Sequence, residues 1–316
     1  MTVKDLLTTA DLTSADLAEL IRLAVRYAAE PDRDSLLLHR DLVALHFTKP
    51  STRTRVSTEA AVLRLGGVPT LLTAQELQLG RGETIEDTAR VLSSYVAAIV
   101  IRTSSDEELR RFAAAATVPV VNALTDGHHP LQSITDLFTL RQVFADLPGR
   151  RIAYVGAGNN VAVSLAQAAA LSGVDIVLAT PERFAPDEEG LGAARRIAAA
   201  TGATVARTTD PHEAVHGASA VYTDVWLSMG DPADEARARR AALAPYRVDT
   251  DLMAKALPEA VFLHCLPAHR GDEVTGEVID GPRSVVFRQA ANRLPVAQAV
   301  LHALLSDMLD GAERGW

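Results

Sequence analysis

Leu42-Val43-Ala44-Leu45-His46-Phe47-Thr48-Lys49-Pro50-Ser51-Thr52-Arg53-Thr54-Arg55 reads as a strand, a tight loop and the start of a helix. The first six residues form an apolar run of strand length, and Val56, Ala60 and Leu63 then follow at helical spacing. A helix that opens straight after a strand offers backbone N–H groups that its own ladder does not use. They lie at the positive end of the helix dipole, where an anion is favoured. Arginine adds a planar fork that meets two phosphate oxygens at once, and the small Ser and Thr side chains let the backbone approach closely. A phosphate is the guest this loop suits. The same residues would also serve as a solvated helix cap with surface charges, so the rest of the chain has to decide.

Outward from this stretch, short apolar runs alternate with helical ones. Ahead of it, Leu17, Leu20, Ile21 and Ala24 form an amphipathic stripe after Thr13 and Ser14, which suit an N-cap. Beyond it, strand-like runs at 70–73, 97–101 and 118–121 are separated by stripes such as Ile85, Ala89, Leu92 and Val96. Alternation of this kind predicts a parallel sheet with helices on both faces. After a helical stretch over 131–144, Asp146-Leu147-Pro148-Gly149-Arg150 breaks the pattern. A second series then runs through 151–155, 175–179, 204–207, 218–222 and 261–263. The expectation is α/β: two doubly wound parallel-sheet domains, at 1–147 and 148–294, followed by an amphipathic helix with Val296, Val300, Leu304 and Leu305 on one stripe. At 316 residues the chain exceeds what one compact core usually serves.

Composition narrows the class of partner. A formal net charge of -9 argues against a non-specific nucleic-acid binder, and the arginines of interest are local rather than gathered in a basic stripe. With one cysteine there is no internal disulfide, and no charged start with an apolar run and cleavage site opens the sequence. No charge-free apolar stretch approaches the ~20 residues of a membrane span. The expectation is a cytoplasmic enzyme acting on a small anion, with no nucleic-acid and no membrane partner.

Polar clusters fall repeatedly at the carboxyl ends of the expected strands, where open α/β sheets gather their functional loops. Arg102 ends one strand, His129 shortly follows the next, Asp224 ends another and Cys265 closes the last. His129 and Gln132, three residues apart, would share a helix face and could hold a carbonyl oxygen and an amide, although a histidine before proline is also an ordinary helix-start residue. Asp224 could meet a substrate ammonium, with Ser228-Met229-Gly230 supplying a hydroxyl and backbone groups, or it could simply accept in a turn. Asn160, after Gly156-Ala157-Gly158-Asn159, could hydrogen-bond an α-carboxylate. Cys265 beside His264 invites a nucleophile or zinc reading, but a metal site wants three or four ligands at suitable spacing and only His264, Cys265 and His269 are close in sequence, while a strand cysteine is commonly inert packing. Gly156-Ala157-Gly158 between strand and helix also fits a dinucleotide turn, hence an NAD-binding dehydrogenase. Against it, Val161 stands where the third glycine belongs, and no acid ends the next strand at Ala179-Thr180-Pro181.

Five stretches in order carry a resemblance over nearly the whole chain: Phe47 through Arg55, Gly80 through Val91 (GRGETIEDTARV), His129-Pro130-Leu131-Gln132, Asp224 through Gly230 (DVWLSMG) and His264-Cys265-Leu266-Pro267. Together they resemble the aspartate and ornithine carbamoyltransferases, and Ser-Met-Gly with His-Cys-Leu-Pro resembles the ornithine branch. The resemblance implies transfer of a carbamoyl group from carbamoyl phosphate to the δ-amine of L-ornithine, giving L-citrulline in arginine metabolism without metal or organic cofactor. It implies a phosphate held by Ser51, Thr52, Arg53 and Thr54, with Gln78 supplied by a neighbouring chain of a trimer or a multiple of one. Arg102, His129, Gln132 and Arg293 would surround the carbamoyl group, Cys265 would orient the amine beside Asp224, and the Leu266 carbonyl would accept from the carbamoyl amide. Asn160, Asp224, Ser228 and Met229 would bind ornithine. The helix at 295–316 would return to the first domain. Ala157 stands where many ornithine enzymes carry Asp, Val163 where His is frequent and Ala291 where Glu is usual, so a paralogue acting on another diamino acid, or a silent regulatory subunit, is the remaining alternative within the resemblance.

Overall fold

The structure is a computed structural model, and it describes residues 1–73, 82–227 and 233–312. Two compact units are present: unit 1 comprises Met1–Phe138 and Asn292–Trp316, and unit 2 comprises Thr139–Ala291.

Unit 1 begins with α1 (Ser14–Ala29), whose first turn is closed by a reciprocal capping box between Thr13 and Asp16. There follow β1 (Leu42–Phe47), α2 (Thr52–Arg64), β2 (Val68–Thr73), α3 (Ile85–Ser93), β3 (Ala98–Arg102), α4 (Asp106–Ala115), β4 (Val120–Leu124) and α5 (Pro130–Phe144). The four strands are parallel in the order β2-β1-β3-β4. β4 starts later than the expected 118–121 because Pro119, with no N–H, cannot donate to the ladder. The helix expected here is present as α2. Its spacing is helical, but Val56 and Leu63 are 56% and 60% exposed, and the buried face is Thr54, Thr58, Ala61 and Val62. Small side chains lie on that face, which packs against the C-terminal helix.

Unit 2 contains β5 (Arg151–Val155), α6 (Asn160–Leu171), β6 (Asp175–Ala179), α7 (Glu188–Thr201), β7 (Val205–Thr208), α8 (Pro211–Val215), β8 (Ala220–Tyr222), α9 (Ala233–Leu243), α10 (Thr250–Met253), β9 (Val261–Leu263), α11 (Gly276–Ile279) and α12 (Val286–Ala291). Its parallel sheet has the order β7-β6-β5-β8-β9. The β5–β6–β8–β9 runs are almost wholly buried, as strands covered on both faces must be. The chain then returns to unit 1 as α13 (Arg293–Ala312), which packs on α1 and α2 through its buried stripe of Val296, Val300, Leu304 and Leu305.

Both strand orders reverse direction once, between β1 and β3 in unit 1 and between β5 and β8 in unit 2. At such a reversal the flanking connections leave on opposite faces and open a crevice at the carboxyl ends of the strands. The segments that leave these ends are 48–55, 103–105, 156–160 and 223–227, the same stretches singled out by their chemistry. Among the described residues no helix is long and apolar enough to cross a membrane.

Candidate active site

In unit 1 the focus is the N-terminus of α2. Helices α1, α3, α4, α6 and α7 each begin with a side chain that accepts from the first turn. Ser51, at the N-cap of α2, makes no such bond; its Oγ instead accepts from Arg102 Nη1 at 3.2 Å. The loop is tied down from its other side, where Thr48 donates both N–H (3.0 Å) and hydroxyl (3.1 Å) to the Arg102 carbonyl. Arg53 therefore stands in the first turn of a helix with no side-chain cap, a place where an anion is favoured by the helix dipole. Arg55 differs: it is exposed and paired with Glu59 at 2.9 Å, an ordinary surface i,i+4 bridge.

Behind this loop runs a buried polar chain. Arg293, at the first position of α13 and 5% exposed, donates to Thr54 Oγ1 at 2.8 Å and to Gln132 Oε1 at 2.5 Å. Gln132 in turn donates from Nε2 to Asp136 Oδ1 at 2.7 Å. Because arginine can only donate and a carboxylate can only accept, the two neighbours leave the Gln132 amide a single orientation. His129 immediately precedes α5, and the Gln132 N–H donates to its carbonyl at 3.1 Å.

Burial, with Arg293 and Arg102 adding to it, holds the His129 imidazole well below its ordinary pKa of 6.5. It is thus a neutral hydrogen-bonding group at physiological pH. Below about pH 6.5 the unfolded chain takes up a proton that the folded chain refuses, so this group makes stability fall with falling pH, by at most about 1.4 kcal/mol per pH unit. Burial lowers His46 and His302 as well, in the same direction. Urea unfolding should give a lower stability at about pH 5.5 than at about pH 7.5, and His129→Gln should flatten that slope. An unchanged slope in the variant would mean that His129 titrates normally in the folded protein.

In unit 2 the focus is Asp224, 6% exposed, just past β8. Its carboxylate accepts from Asn159 Nδ2 at 2.6 Å and from the Cys265 thiol at 3.0 Å. Asn159 cannot turn over, because its Oδ1 caps α6 by accepting from Val161 and Ala162 N–H at 3.1 Å each. Tyr154 adds a neutral donor: burial first, then the Asp224 charge, pushes its phenol well up, and its OH donates to the Ala157 carbonyl at 2.8 Å. His264 is fully buried, with Nδ1 accepting from Leu266 N–H at 2.8 Å, which leaves its proton on Nε2, 3.3 Å from Glu273 Oε1. Leu266 is held at φ 59, a left-handed conformation costly for leucine. Asp224, His264 and Cys265 present ligand-type atoms within 4.8 Å of one another. Both His264 nitrogens are engaged within the chain, by the Leu266 N–H and by Glu273.

The turn at 156–158 belongs to the fold itself. Gly156 has φ 140, and a Cβ on Gly158 would lie 2.2 Å from the Pro186 nitrogen. Gly158 N–H is spent on the Phe184 carbonyl at 2.8 Å, so the donor and the space that a pyrophosphate would use are taken by the chain's own 184–186 segment.

Ser51, Thr54, Arg102, His129, Gln132 and Arg293 converge in unit 1, and Asp224, Cys265 and Leu266 converge in unit 2, with Asn160 at the first position of α6. Thr52 and Arg53 form the first turn of α2. Gln78, Ser228 and Met229 lie outside the described residues. Sequence reasoning missed Asn159, Asp136 and Glu273. Asn is a favoured N-cap, and Asp136 stands four residues after Gln132 on one helix, so two of these had a readable signal.

Residues 4–142 match the family model "Aspartate/ornithine carbamoyltransferase, carbamoyl-P binding domain", and residues 148–304 match "Aspartate/ornithine carbamoyltransferase, Asp/Orn binding domain". The chain is 49% identical over 300 residues to an ornithine carbamoyltransferase of Acidothermus cellulolyticus, covering 93% of this chain and 94% of that one. It is 47% identical to one of Bacillus subtilis, with 96% and 94% covered. Among solved structures it resembles the ornithine carbamoyltransferase of Pyrococcus furiosus, with TM-score 0.90 and 45% identity over 94% of this chain and 95% of that one.

Proposed function

Since the chain belongs to the aspartate/ornithine carbamoyltransferase family, we infer that it transfers the carbamoyl group of carbamoyl phosphate to the δ-amine of L-ornithine, giving L-citrulline and phosphate. The observation that carries this reading is the uncapped start of α2, where Ser51 is drawn away to Arg102 while Arg53 and Thr54 remain in the first turn. Phosphate binds there, to Ser51, Thr52, Arg53 and Thr54. Arg102, neutral His129 and Arg293 donate toward the carbonyl oxygen, and Gln132 and the Leu266 carbonyl take the amide. Attack builds negative charge on that oxygen and on the departing phosphate, and donors fixed beforehand stabilise both without reorganising. In unit 2, Asp224 draws the substrate ammonium, Cys265 orients the amine, and Asn160, Ser228 and Met229 hold the amino-acid end. These groups supply positioning and charge, so the proposed reaction calls on no metal or organic cofactor.

Ornithine's δ-amine resembles that of lysine, with a pKa of about 10.4, and must be neutral to attack. At low ornithine the rate should therefore climb with pH, by up to about tenfold per unit well below that pKa, with no inflection from His129. A panel of ornithine, lysine, putrescine and diaminopropionate with carbamoyl phosphate tests the acceptor. Equal turnover of all four, or a rate flat in pH, counts against the reading.

The same reading makes the active form a trimer or a multiple of one in the cytoplasm, with Gln78 completing an adjacent site. Large apolar side chains exposed in unit 1, Val56 and Leu63 on α2, Val68 on β2 and Val91 on α3, support a subunit contact there. Sedimentation of a fully active monomer would refute this assembly.

A further inference from the structure

Asp224 is delivered by backbone that has already left the sheet: β8 ends at Tyr222. Two residues beyond Asp224, the Trp226 carbonyl accepts from Arg239 Nε–H, reaching across from α9. The Trp226 indole is 4% exposed and packs with Ala157 and Leu243, with Phe184 against the same cluster. The Arg239 guanidinium lies over the Phe184 ring, 4.8 Å from its centroid, a cation–π contact in a half-buried setting. One side chain thus joins the 223–227 stretch, the turn at Glu182–Phe184 and α9.

We propose that Arg239 is a positioning residue for the amino-acid substrate, holding the Trp226 carbonyl and stacking on Phe184 so that the backbone between them and β8 presents Asp224 to Asn159 and Cys265. The proposal rests on the assignment of Asp224 to the acceptor amine. Arginine suits the task because its planar fork can donate along one edge while a ring covers its face; a lysine ammonium offers the charge without that geometry. The carboxylate needs such support, since its partners are set at 2.6 and 3.0 Å and a displacement near ~1 Å is enough to cost a reacting pair about a hundredfold.

The test uses the full-length enzyme, with each substrate varied at saturation of the other. Arg239→Gln should lower kcat/KM for ornithine by about tenfold to a hundredfold while the KM for carbamoyl phosphate stays within about twofold. Arg239→Lys should be impaired nearly as much, and Phe184→Leu, which removes the stacking face but leaves the arginine, should be milder and non-additive with Arg239→Gln. Wild-type protein that fails to turn over ornithine would remove the assignment of Asp224 on which the proposal stands. Wild-type turnover with an unchanged ornithine kcat/KM in Arg239→Gln overturns the proposal alone. So does full recovery by lysine, which would make charge rather than geometry the cause, and so does a parallel loss for both substrates with a lowered melting temperature, which would make the role structural.

Discussion

Asp224→Asn should lower kcat/KM for ornithine by at least about a hundredfold and leave carbamoyl-phosphate binding unchanged. The substitution keeps the shape and deletes the charge that, in the proposed reading, meets the ammonium. At a site 6% exposed, an ion pair broken from one side costs about 3 kcal/mol or more, and about 1.4 kcal/mol is a factor of ten. The hydrogen-bond pattern deepens the loss. Asn159 is fixed by its cap, so its Nδ2 must still point at position 224, and the new amide has to turn its oxygen that way. Its NH2 group then faces Cys265, and the thiol loses the acceptor that orients it. Steady-state kinetics with calorimetry of carbamoyl phosphate decide the matter. An ornithine kcat/KM within about threefold of wild type would place the ammonium elsewhere.

Arg53→Ala should cost about a hundredfold to a thousandfold in turnover, through carbamoyl-phosphate binding and transition-state charge together. Arg53 is half-buried in the first turn of α2, at the positive end of the helix dipole where an anion is favoured. Arg55→Ala is the internal control, since its surface pair with Glu59 predicts near-normal activity. Comparable loss in both variants, or turnover within a few-fold of wild type in Arg53→Ala, would show that the loop has been misassigned.

Much of this architecture was legible because strands and motifs are local. A buried parallel strand announces itself as a short apolar run, and β1, β5, β6 and β9 begin and end where those runs do. Which face of a helix is buried is not local. Val56 and Leu63 carry the apolar signal on α2, yet the helix buries Thr54, Thr58, Ala61 and Val62, because its partner is α13 from the far end of the sequence. The same distinction runs through the candidate site. Ser51, His129, Asp224 and Cys265 stand at strand ends and could be named in advance. Glu273 could not, since the bond between its carboxylate and His264 joins residues on separate segments, and nothing in their spacing announces it.

Arg293 reaches Thr54 and Gln132 from a helix that follows all of unit 2 in the chain. During synthesis, then, the sheet of unit 1 can form while its polar chain still lacks the central link. A nascent polypeptide released before residue 293 has every strand of the phosphate-binding sheet but leaves the Gln132 amide and the Thr54 hydroxyl without their donor. Closure of that polar chain therefore comes late in synthesis, only once the whole of unit 2 has been made.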